Sequence, residues 1–165
     1  MNQTNHIPTL WLIPARGGSK GIPNKNLKPF CGESLVARAL RLALNASGPH
    51  DTIFVSTDSP EIKAVADELG IETPFLRPDH LATDTASTYD AIINALDEFS
   101  IRGKNFERVV LLQPTSPFRS LEDVMGSLSL WSPDIDMVVS VNKSKANPYF
   151  NLFETDSDGF LKLSK

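Results

Sequence analysis

Short apolar segments that alternate with longer amphipathic segments are the feature that most constrains the fold of this chain. Residues 10–13, 52–55 and 109–112 are predominantly apolar runs of strand length, and residues 137–141 continue the series. Strands that are apolar throughout need cover on both faces, and helices between successive strands give parallel crossovers. The pattern therefore predicts an α/β fold with a mostly parallel sheet covered by helices.

Helices are predicted between these strands from apolar spacing and from capping residues. Residues 34–46 and 85–99 carry apolar side chains at the spacing of one helix face. Two further helices are predicted after Ser59 and after Ser120, because serine is a favoured N-cap. Residues 71–76 are predicted to form a weaker strand.

The last part of the chain predicts a β-hairpin. Residues 149–153 and 160–163 are rich in apolar and aromatic side chains, and they flank Asp156-Ser157-Asp158-Gly159, which is typical of a turn. The length of 165 residues fits one domain. Because the chain stops directly after the second arm, we expect residues 1–165 to form a single domain that lacks its C-terminal part.

Composition argues against several classes of function. The formal net charge is −4, with 16 Lys and Arg against 20 Asp and Glu, which disfavours nucleic-acid and anionic-membrane partners. No stretch approaches the ~18 apolar residues of a membrane helix, and the first residues do not have the pattern of a signal peptide. The single cysteine, Cys31, excludes an intrachain disulfide and fits a reducing compartment. We therefore expect a cytoplasmic protein.

A basic, glycine-rich loop follows the first predicted strand. Residues 14–29 contain three glycines, one arginine and three lysines but no acidic residue. Ligands of open α/β sheets bind beyond the carboxyl ends of strands, and glycines let backbone N–H groups approach an anion. Arg16 can bind phosphate oxygens through two N–H groups, whereas Lys20 and Lys25 act as point charges. The loop predicts a polyphosphate or nucleotide site, and a solvated basic loop is the simpler alternative.

The loop matches neither of two common phosphate-binding motifs. It contains neither G-x-x-x-x-G-K-[ST] nor G-x-G-x-x-G. Residues 17–21 do satisfy G-x-S-x-G, which would make Ser19 the nucleophile of a serine esterase. That motif requires a helix directly after the serine and a histidine later in the chain. Pro23 and Pro29 obstruct such a helix, and His80 is the last histidine, so the esterase is the less favoured alternative.

Four sequence blocks occur in the order typical of one enzyme family. They are residues 13–27 with the basic loop, residues 55–58 (VSTD), residues 77–87 with LATDTAS, and residues 111–119 (LLQPTSPFR). Together they resemble the acylneuraminate cytidylyltransferases, or CMP-sialic acid synthetases. The resemblance implies a Rossmann-like, three-layer nucleotidyltransferase fold of the nucleotide-diphospho-sugar transferase type. It also implies that CTP and an N-acylneuraminate-type nine-carbon sugar acid give a CMP-sugar and pyrophosphate, with Mg²⁺ as cofactor.

The resemblance also implies roles for individual residues. Arg16 and Lys25 would be catalytic, because they can neutralise charge that develops on the phosphates. Gln113 would contact the sugar, with Thr115 and Ser116 nearby. The residues implied to bind the nucleotide are Ala15, Arg16, Gly17, Ser19, Lys20, Asn26, Arg77, Ala86, Ser87 and Thr88.

The metal ligands and the oligomeric state are implied only by the family. It implies a homodimer, with residues 149–165 as the start of a dimerisation hairpin, and an aspartate pair beyond Lys165 as metal ligands. Asp134-x-Asp136 and Asp156-x-Asp158 have metal-pair spacing, although a turn explains the second pair better.

Two alternatives remain open on the residues alone. Without a metal pair, the chain would be a truncated module that binds CTP without turnover. Arg77 could instead form a surface ion pair with Asp79 or Asp84.

Overall fold

The chain divides into two compact units, Met1–Met125 and Gly126–Lys165. The computed structural model describes residues 7–19, 21–141, 143–144, 146–147, 149–150 and 152–165. In chain order the elements are β1 (Thr9–Pro14), β2 (Pro29–Phe30), β3 (Glu33–Ser34), α1 (Leu35–Ala46), β4 (Thr52–Ser56), α2 (Pro60–Glu68), a 3₁₀ turn (Asp79–Leu81), α3 (Thr88–Ile101), β5 (Arg108–Leu111), α4 (Leu121–Ser129), β6 (Phe153–Thr155) and β7 (Leu161–Leu163).

A three-stranded parallel sheet forms the centre of the larger unit. Its order is β4-β1-β5, and Leu12 of β1 lies opposite both Phe54 of β4 and Leu111 of β5. The helices α1 and α3 both contact β1. The predicted α/β fold with a parallel sheet is therefore confirmed.

The core beside the sheet is built from aromatic side chains. The ring of Phe54 lies 4.5 Å from that of Phe75 and 5.2 Å from that of Phe99, and Phe99 also contacts Phe106 edge-on at 5.4 Å. Tilted and edge-to-face pairs at these distances contribute beyond the area that they bury. This cluster fixes α3 against β4 and sets the position of the segment that leads into α3.

A serine cap begins each helix, as predicted at Ser59 and Ser120, and the structure adds caps at Ser34 and Ser87. The side chains of Ser34, Ser59 and Ser87 each accept a hydrogen bond from the backbone N–H three residues later, at 3.0–3.3 Å. Ser120 and Asp123 form a reciprocal capping box at the start of α4. No helix in the described part of the chain combines the length and apolarity that membrane crossing requires.

Two predicted strands are wrong. Residues 71–76 form no strand, and Pro74 inside them has no N–H to donate to a ladder. The segment contacts β4 through the ring of Phe75, and just after it the backbone N–H of Arg77 donates to the carbonyl of Thr57 at 2.7 Å. Residues 137–141 also form no strand, and Met137 and Val141 are exposed. Their apolar composition predicted burial, but a strand also needs a hydrogen-bonding neighbour, and none of the described residues pairs with them.

The hairpin in the second unit is confirmed with narrower bounds. The strands β6 and β7 pair antiparallel, with Phe153 opposite Leu163. The carboxylate of Asp156 accepts hydrogen bonds from the backbone N–H groups of Asp158 (3.0 Å) and Phe160 (2.9 Å). Gly159 has a φ of 85°, which favours glycine. Asp156 therefore serves the turn, as the turn interpretation predicted.

We expect the aromatic core to dominate the stability of the larger unit. Phe54→Ala should lower the free energy of unfolding by about 3–5 kcal/mol, because a buried ring leaves a cavity. Phe118→Ala, which truncates a side chain that is 84% exposed, should cost less than about 1 kcal/mol. Urea denaturation followed by circular dichroism measures both values, and similar losses for the two variants would contradict this account of the core.

Candidate active site

A polar cleft of about 270 Å³ lies at the carboxyl ends of β1 and β5. This volume is near the lower end of small-molecule pockets, which commonly span roughly 300–1,000 Å³. Three loops form the cleft: the one after β1, the segment between the 3₁₀ turn and α3, and the one after β5. Its lining residues are Pro14, Arg16, Ser19, Lys25, Asn26, Arg77, Leu81, Thr83, Asp84, Ala86, Ser87, Thr88, Ala91, Gln113, Pro114 and Thr115.

The backbone of the loop after β1 is fixed by hydrogen bonds on both sides of Arg16. The N–H of Ala15 donates to the carbonyl of Ser56 at 2.9 Å, and the N–H of Gly17 donates to Oδ1 of Asp58 at 2.9 Å. The buried side chain of Asn26 donates through Nδ2 to the carbonyl of Arg16, also at 2.9 Å. Asn26 therefore both holds the backbone of the loop at Arg16 and lines the cleft.

The three glycines of this loop have different environments. A Cβ at Gly17 would lie 3.0 Å from the Cβ of Ser59, so the close approach of Ser59 favours glycine there. A Cβ at Gly18 or Gly21 would meet no described atom within 4 Å, and neither residue has a positive φ. The fold gives no reason for glycine at these two positions. Their bare backbone is open to close approach by a ligand.

Arg16 reaches across the cleft to the segment that precedes α3. Its Nη2 forms an ion pair with Oδ1 of Asp84, and its Nη1 donates a long hydrogen bond of 3.5 Å to the carbonyl of Ala82. Both charged side chains are about one-third exposed. The guanidinium also lines the cleft, where it is within reach of a bound ligand.

Arg77 is a buried brace and not a surface ion-pair partner. Only 7% of the residue is exposed, and its Nε donates to Oγ of Ser56 at 2.9 Å while its Nη2 donates to the Ser56 carbonyl. Burial lowers the pKa of Arg77 from its usual value, and the negative charge of Asp58 opposes this shift. The suggested pairing of Arg77 with Asp79 or Asp84 is wrong, because the guanidinium points inward to the end of β4.

The cleft brings together ten of the residues that the sequence proposed for the site. They are Arg16, Ser19, Lys25, Asn26, Arg77, Ala86, Ser87, Thr88, Gln113 and Thr115. Ala15 is fully buried, and Gly17 packs against Ser59, so these two support the cleft and do not line it. Ser116 also does not line the cleft, since its N–H closes a turn on the carbonyl of Gln113 at 3.2 Å. Lys20 lies outside the described residues.

Sequence reasoning missed two acidic residues of the site. Asp58 holds the N–H of Gly17, and Asp84 pairs with Arg16. Both lie in blocks that were recognised in the sequence, but nothing local to those blocks indicates the partners, which are 41 and 68 residues away. An acidic residue that follows a buried strand, as Asp58 does, is the one signal that could have drawn attention to it.

The described residues do not form a metal site of their own. No group of three or more His, Cys, Asp or Glu side chains among them is arranged to hold an ion. Asp84 is the single carboxylate of the described cleft lining. Asp134 and Asp136 are exposed in the second unit, and Asp156 is engaged in its turn.

The serine-esterase alternative is not supported by the geometry. The hydrolase motif needs a helix directly after the nucleophile, whereas residues 21–28 form bends and turns and the next helix begins at Leu35. None of the described residues that line the cleft is a histidine. Ser19 therefore lacks both the local backbone and the base that this chemistry requires.

Comparison with known proteins agrees with the fold and with the ordered blocks. Residues 10–129 match the family model described as Cytidylyltransferase. The chain is 40% identical over 139 residues to the CMP-N,N'-diacetyllegionaminic acid synthase of Legionella pneumophila, covering 84% of this chain and 60% of that protein. It is 38% identical over 135 residues to an N-acylneuraminate cytidylyltransferase of Escherichia coli, covering 81% and 31%.

A solved structure shows the same fold. It is a CMP:2-keto-3-deoxy-manno-octonic acid synthetase complexed with CTP, with a TM-score of 0.60 and 23% sequence identity, and the match covers 74% of this chain and 46% of that one. The match confirms the nucleotidyltransferase fold expected from the sequence. This chain spans between about a third and 60% of the length of the two curated relatives. With a family match over most of its length and a parallel core that carries the ordered blocks, the chain belongs to the cytidylyltransferase family.

Proposed function

We propose that the protein is a nucleotidyltransferase that forms a CMP-sugar and pyrophosphate from CTP and an N-acylneuraminate-type nine-carbon sugar acid. The observation that carries the proposal is the cleft, where the basic glycine loop meets the segments around Ser87 and Gln113 at one end of a parallel sheet. The relatives are named for N,N'-diacetyllegionaminic acid and for N-acylneuraminate. The proposal therefore stops at the class of sugar acid.

The triphosphate is proposed to lie against the loop after β1. Arg16 and Lys25 line this side of the cleft, and the open backbone at Gly18 leaves room for phosphate oxygens. In the transfer, the anomeric hydroxyl of the sugar attacks the α-phosphorus in line with the departing pyrophosphate. Positioning and charge neutralisation supply most of the catalysis in such reactions. Arg16 and Lys25 would stabilise the charge that builds up on the phosphates.

The cytidine is proposed to lie against the start of α3. Ala86, Ser87 and Thr88 line the cleft there. The hydroxyl of Ser87 accepts from the N–H of Asp90 at 3.0 Å and donates to its carboxylate at 2.8 Å, so it is engaged in the helix cap. We therefore assign Ser87 to holding this segment in place, while Thr88 and the backbone near Ala86 contact the nucleotide.

The sugar acid is proposed to bind at the loop after β5. Gln113 and Thr115 are exposed in the cleft, and Pro114 between them is buried. A carboxamide and a hydroxyl provide both donors and acceptors for sugar hydroxyls. The buried proline limits the conformations of the loop that carries them.

Mg²⁺ and a homodimer belong to the proposal through the family resemblance. Mg²⁺ usually binds through one or two carboxylates together with substrate phosphates. Since the described cleft contains a single carboxylate, no mechanistic step here depends on a protein-held metal. The exposed rings of Phe153 and Phe160 on the hairpin support a role in subunit contact, because two-stranded hairpins are marginal alone.

A cytoplasmic location is also proposed. The thiol of Cys31 is free and exposed, which fits a reducing compartment.

A second candidate function is a module that binds CTP without turnover. The observation that favours it is the absence of a carboxylate cluster among the described residues. Both candidates require that CTP binds in the same cleft. They differ in whether pyrophosphate is released when a sugar acid is present.

The decisive assay measures pyrophosphate release from CTP with Mg²⁺ and a panel of nonulosonic acids. We expect release that depends on both CTP and the sugar acid, and loss of release when a chelator removes the divalent metal. Binding of CTP in calorimetry without any release would favour the module. Release at background together with no CTP binding would reject both candidates.

Arg16→Ala is expected to lower turnover by about 100-fold or more, the scale of losing one preorganised electrostatic donor. Arg41→Ala is the matched control, because Arg41 is an exposed arginine of α1 that pairs with Glu33 and does not line the cleft. It should leave turnover within about twofold. An unchanged rate for Arg16→Ala would reject the catalytic role of this residue.

Gly18→Ala tests whether the open backbone serves a ligand or only solvent. A Cβ there meets open space, so we expect an unchanged melting temperature but a loss of CTP affinity of about tenfold or more. Gly126→Ala is the control, since a Cβ there also meets no described atom within 4 Å but the residue lies on α4, whereas Gly18 lies between the cleft-lining residues Arg16 and Ser19. Equal CTP affinity of the two variants would favour the solvated-loop interpretation.

A further inference from the structure

The cleft contains a carboxylate where a highly charged anion is proposed to bind. Asp84 is the one acidic residue among the described residues of the lining, and it forms an ion pair with Arg16. Arg16 is also the arginine proposed to grip the triphosphate. Without nucleotide, the guanidinium of Arg16 therefore already binds a carboxylate. A phosphate can replace this carboxylate, because both groups accept paired N–H hydrogen bonds from arginine.

The backbone at Arg16 is fixed by several hydrogen bonds, whereas residues 82–84 are tied to that loop through the Arg16 side chain, by its ion pair with Asp84 and its long hydrogen bond to the carbonyl of Ala82. Hydrogen bonds from Ala15, Gly17 and Asn26 hold the Arg16 region to the end of β4 and to the loop itself. Thr83 and Asp84 are exposed, and the hydroxyl of Thr83 contacts only its near neighbours Thr85 and Ala86 in the bonds described. A change of partner at Arg16 therefore requires movement of its side chain or of residues 82–86, and not of the glycine loop.

We propose that Asp84 is a positioning residue for Arg16 that holds the guanidinium in the ligand-free protein and gives it up to the triphosphate when nucleotide binds. The inference rests on the proposed function of the cleft. The exchange keeps Arg16 directed into the cleft before the nucleotide arrives. The bound phosphates also repel the carboxylate of Asp84, so residues 82–86 shift when nucleotide binds. Ser87 and Thr88 follow directly in the chain, so the shift reaches the start of α3.

If the carboxylate of Asp84 competes with a triphosphate for Arg16, removal of its charge should raise the affinity for CTP. Asp84→Asn keeps the size of the side chain but removes its charge, so the ion pair with Arg16 is lost and the repulsion of the phosphates disappears. We expect CTP to bind about tenfold more tightly to this variant in calorimetry without divalent metal, as a partly exposed ion pair and a nearby like charge have effects of this order. Inorganic tripolyphosphate should show the same gain, whereas cytidine, which has no phosphate, should show none.

Two control variants separate the role of this carboxylate from general effects. Asp79→Asn removes the same charge from an exposed position of the 3₁₀ turn that does not line the cleft, and it should leave CTP affinity within about twofold. Asp84→Glu keeps the carboxylate and should retain the affinity of the unmodified protein. A purely structural aspartate would give weaker CTP binding in Asp84→Asn and no difference between CTP and cytidine.

The outcomes distinguish this inference from the function on which it rests. Tighter binding of CTP and tripolyphosphate by Asp84→Asn alone supports the exchange. Equal or weaker CTP binding by that variant, with CTP still bound by the unmodified protein, overturns the exchange and leaves the proposed function intact. An equal gain in Asp79→Asn overturns the specific role of Asp84. Failure of both the unmodified protein and Asp84→Asn to bind CTP overturns the exchange and the nucleotide site together.

Discussion

The parallel ladder between β1 and β4 continues past the ends of the strands, and the cleft depends on this continuation. The N–H of Ala15 donates to the carbonyl of Ser56, and the next turn of chain is held by Asp58 through the N–H of Gly17. A loop that leaves a strand normally loses its backbone partners within one or two residues. Here hydrogen-bond partners persist on both sides of Arg16, a backbone carbonyl for Ala15 and a carboxylate for Gly17, so the backbone that carries the Arg16 side chain is held in place.

Ser56 links the start of the loop that carries Arg16 to the side chain of Arg77. Its carbonyl accepts from the N–H of Ala15 and from the guanidinium of Arg77, and its hydroxyl accepts from Arg77 as well. A buried charge is costly unless its donors are satisfied, and Ser56 at the end of β4 together with the carbonyl of Leu81 supplies the acceptors for Arg77. Arg77 in turn fixes the segment that leads to the 3₁₀ turn and to α3. The position of the cleft residues at the start of α3 thus depends on Ser56 at the end of β4 and on the buried side chain of Arg77.

The sequence predicted the elements of this fold whose cause is local. Strands β1, β4 and β5 coincide with the apolar runs 10–13, 52–55 and 109–112, and the predicted serine caps at Ser59 and Ser120 mark where α2 and α4 begin. It failed at residues 137–141, where apolar composition indicated burial but could not supply a neighbouring strand. It also could not reveal that Arg16 pairs with Asp84, because that contact depends on how two distant loops meet above the sheet.

The composition of the glycine loop separates what the fold requires from what it leaves free. Ser59 lies so close to Gly17 that it leaves little room for a Cβ there. The side chain of Asn26 donates a hydrogen bond to the carbonyl of Arg16. Gly18 and Lys25 have no comparable structural task among the described contacts: one presents bare backbone to open space, and the other lines the cleft as a half-buried cation. A chain with net charge −4 that places a cation and an uncovered backbone on a loop held by hydrogen bonds is suited to attract a local anion. The specificity of such a site then comes from the neighbouring loops, since charge alone does not distinguish one polyphosphate from another.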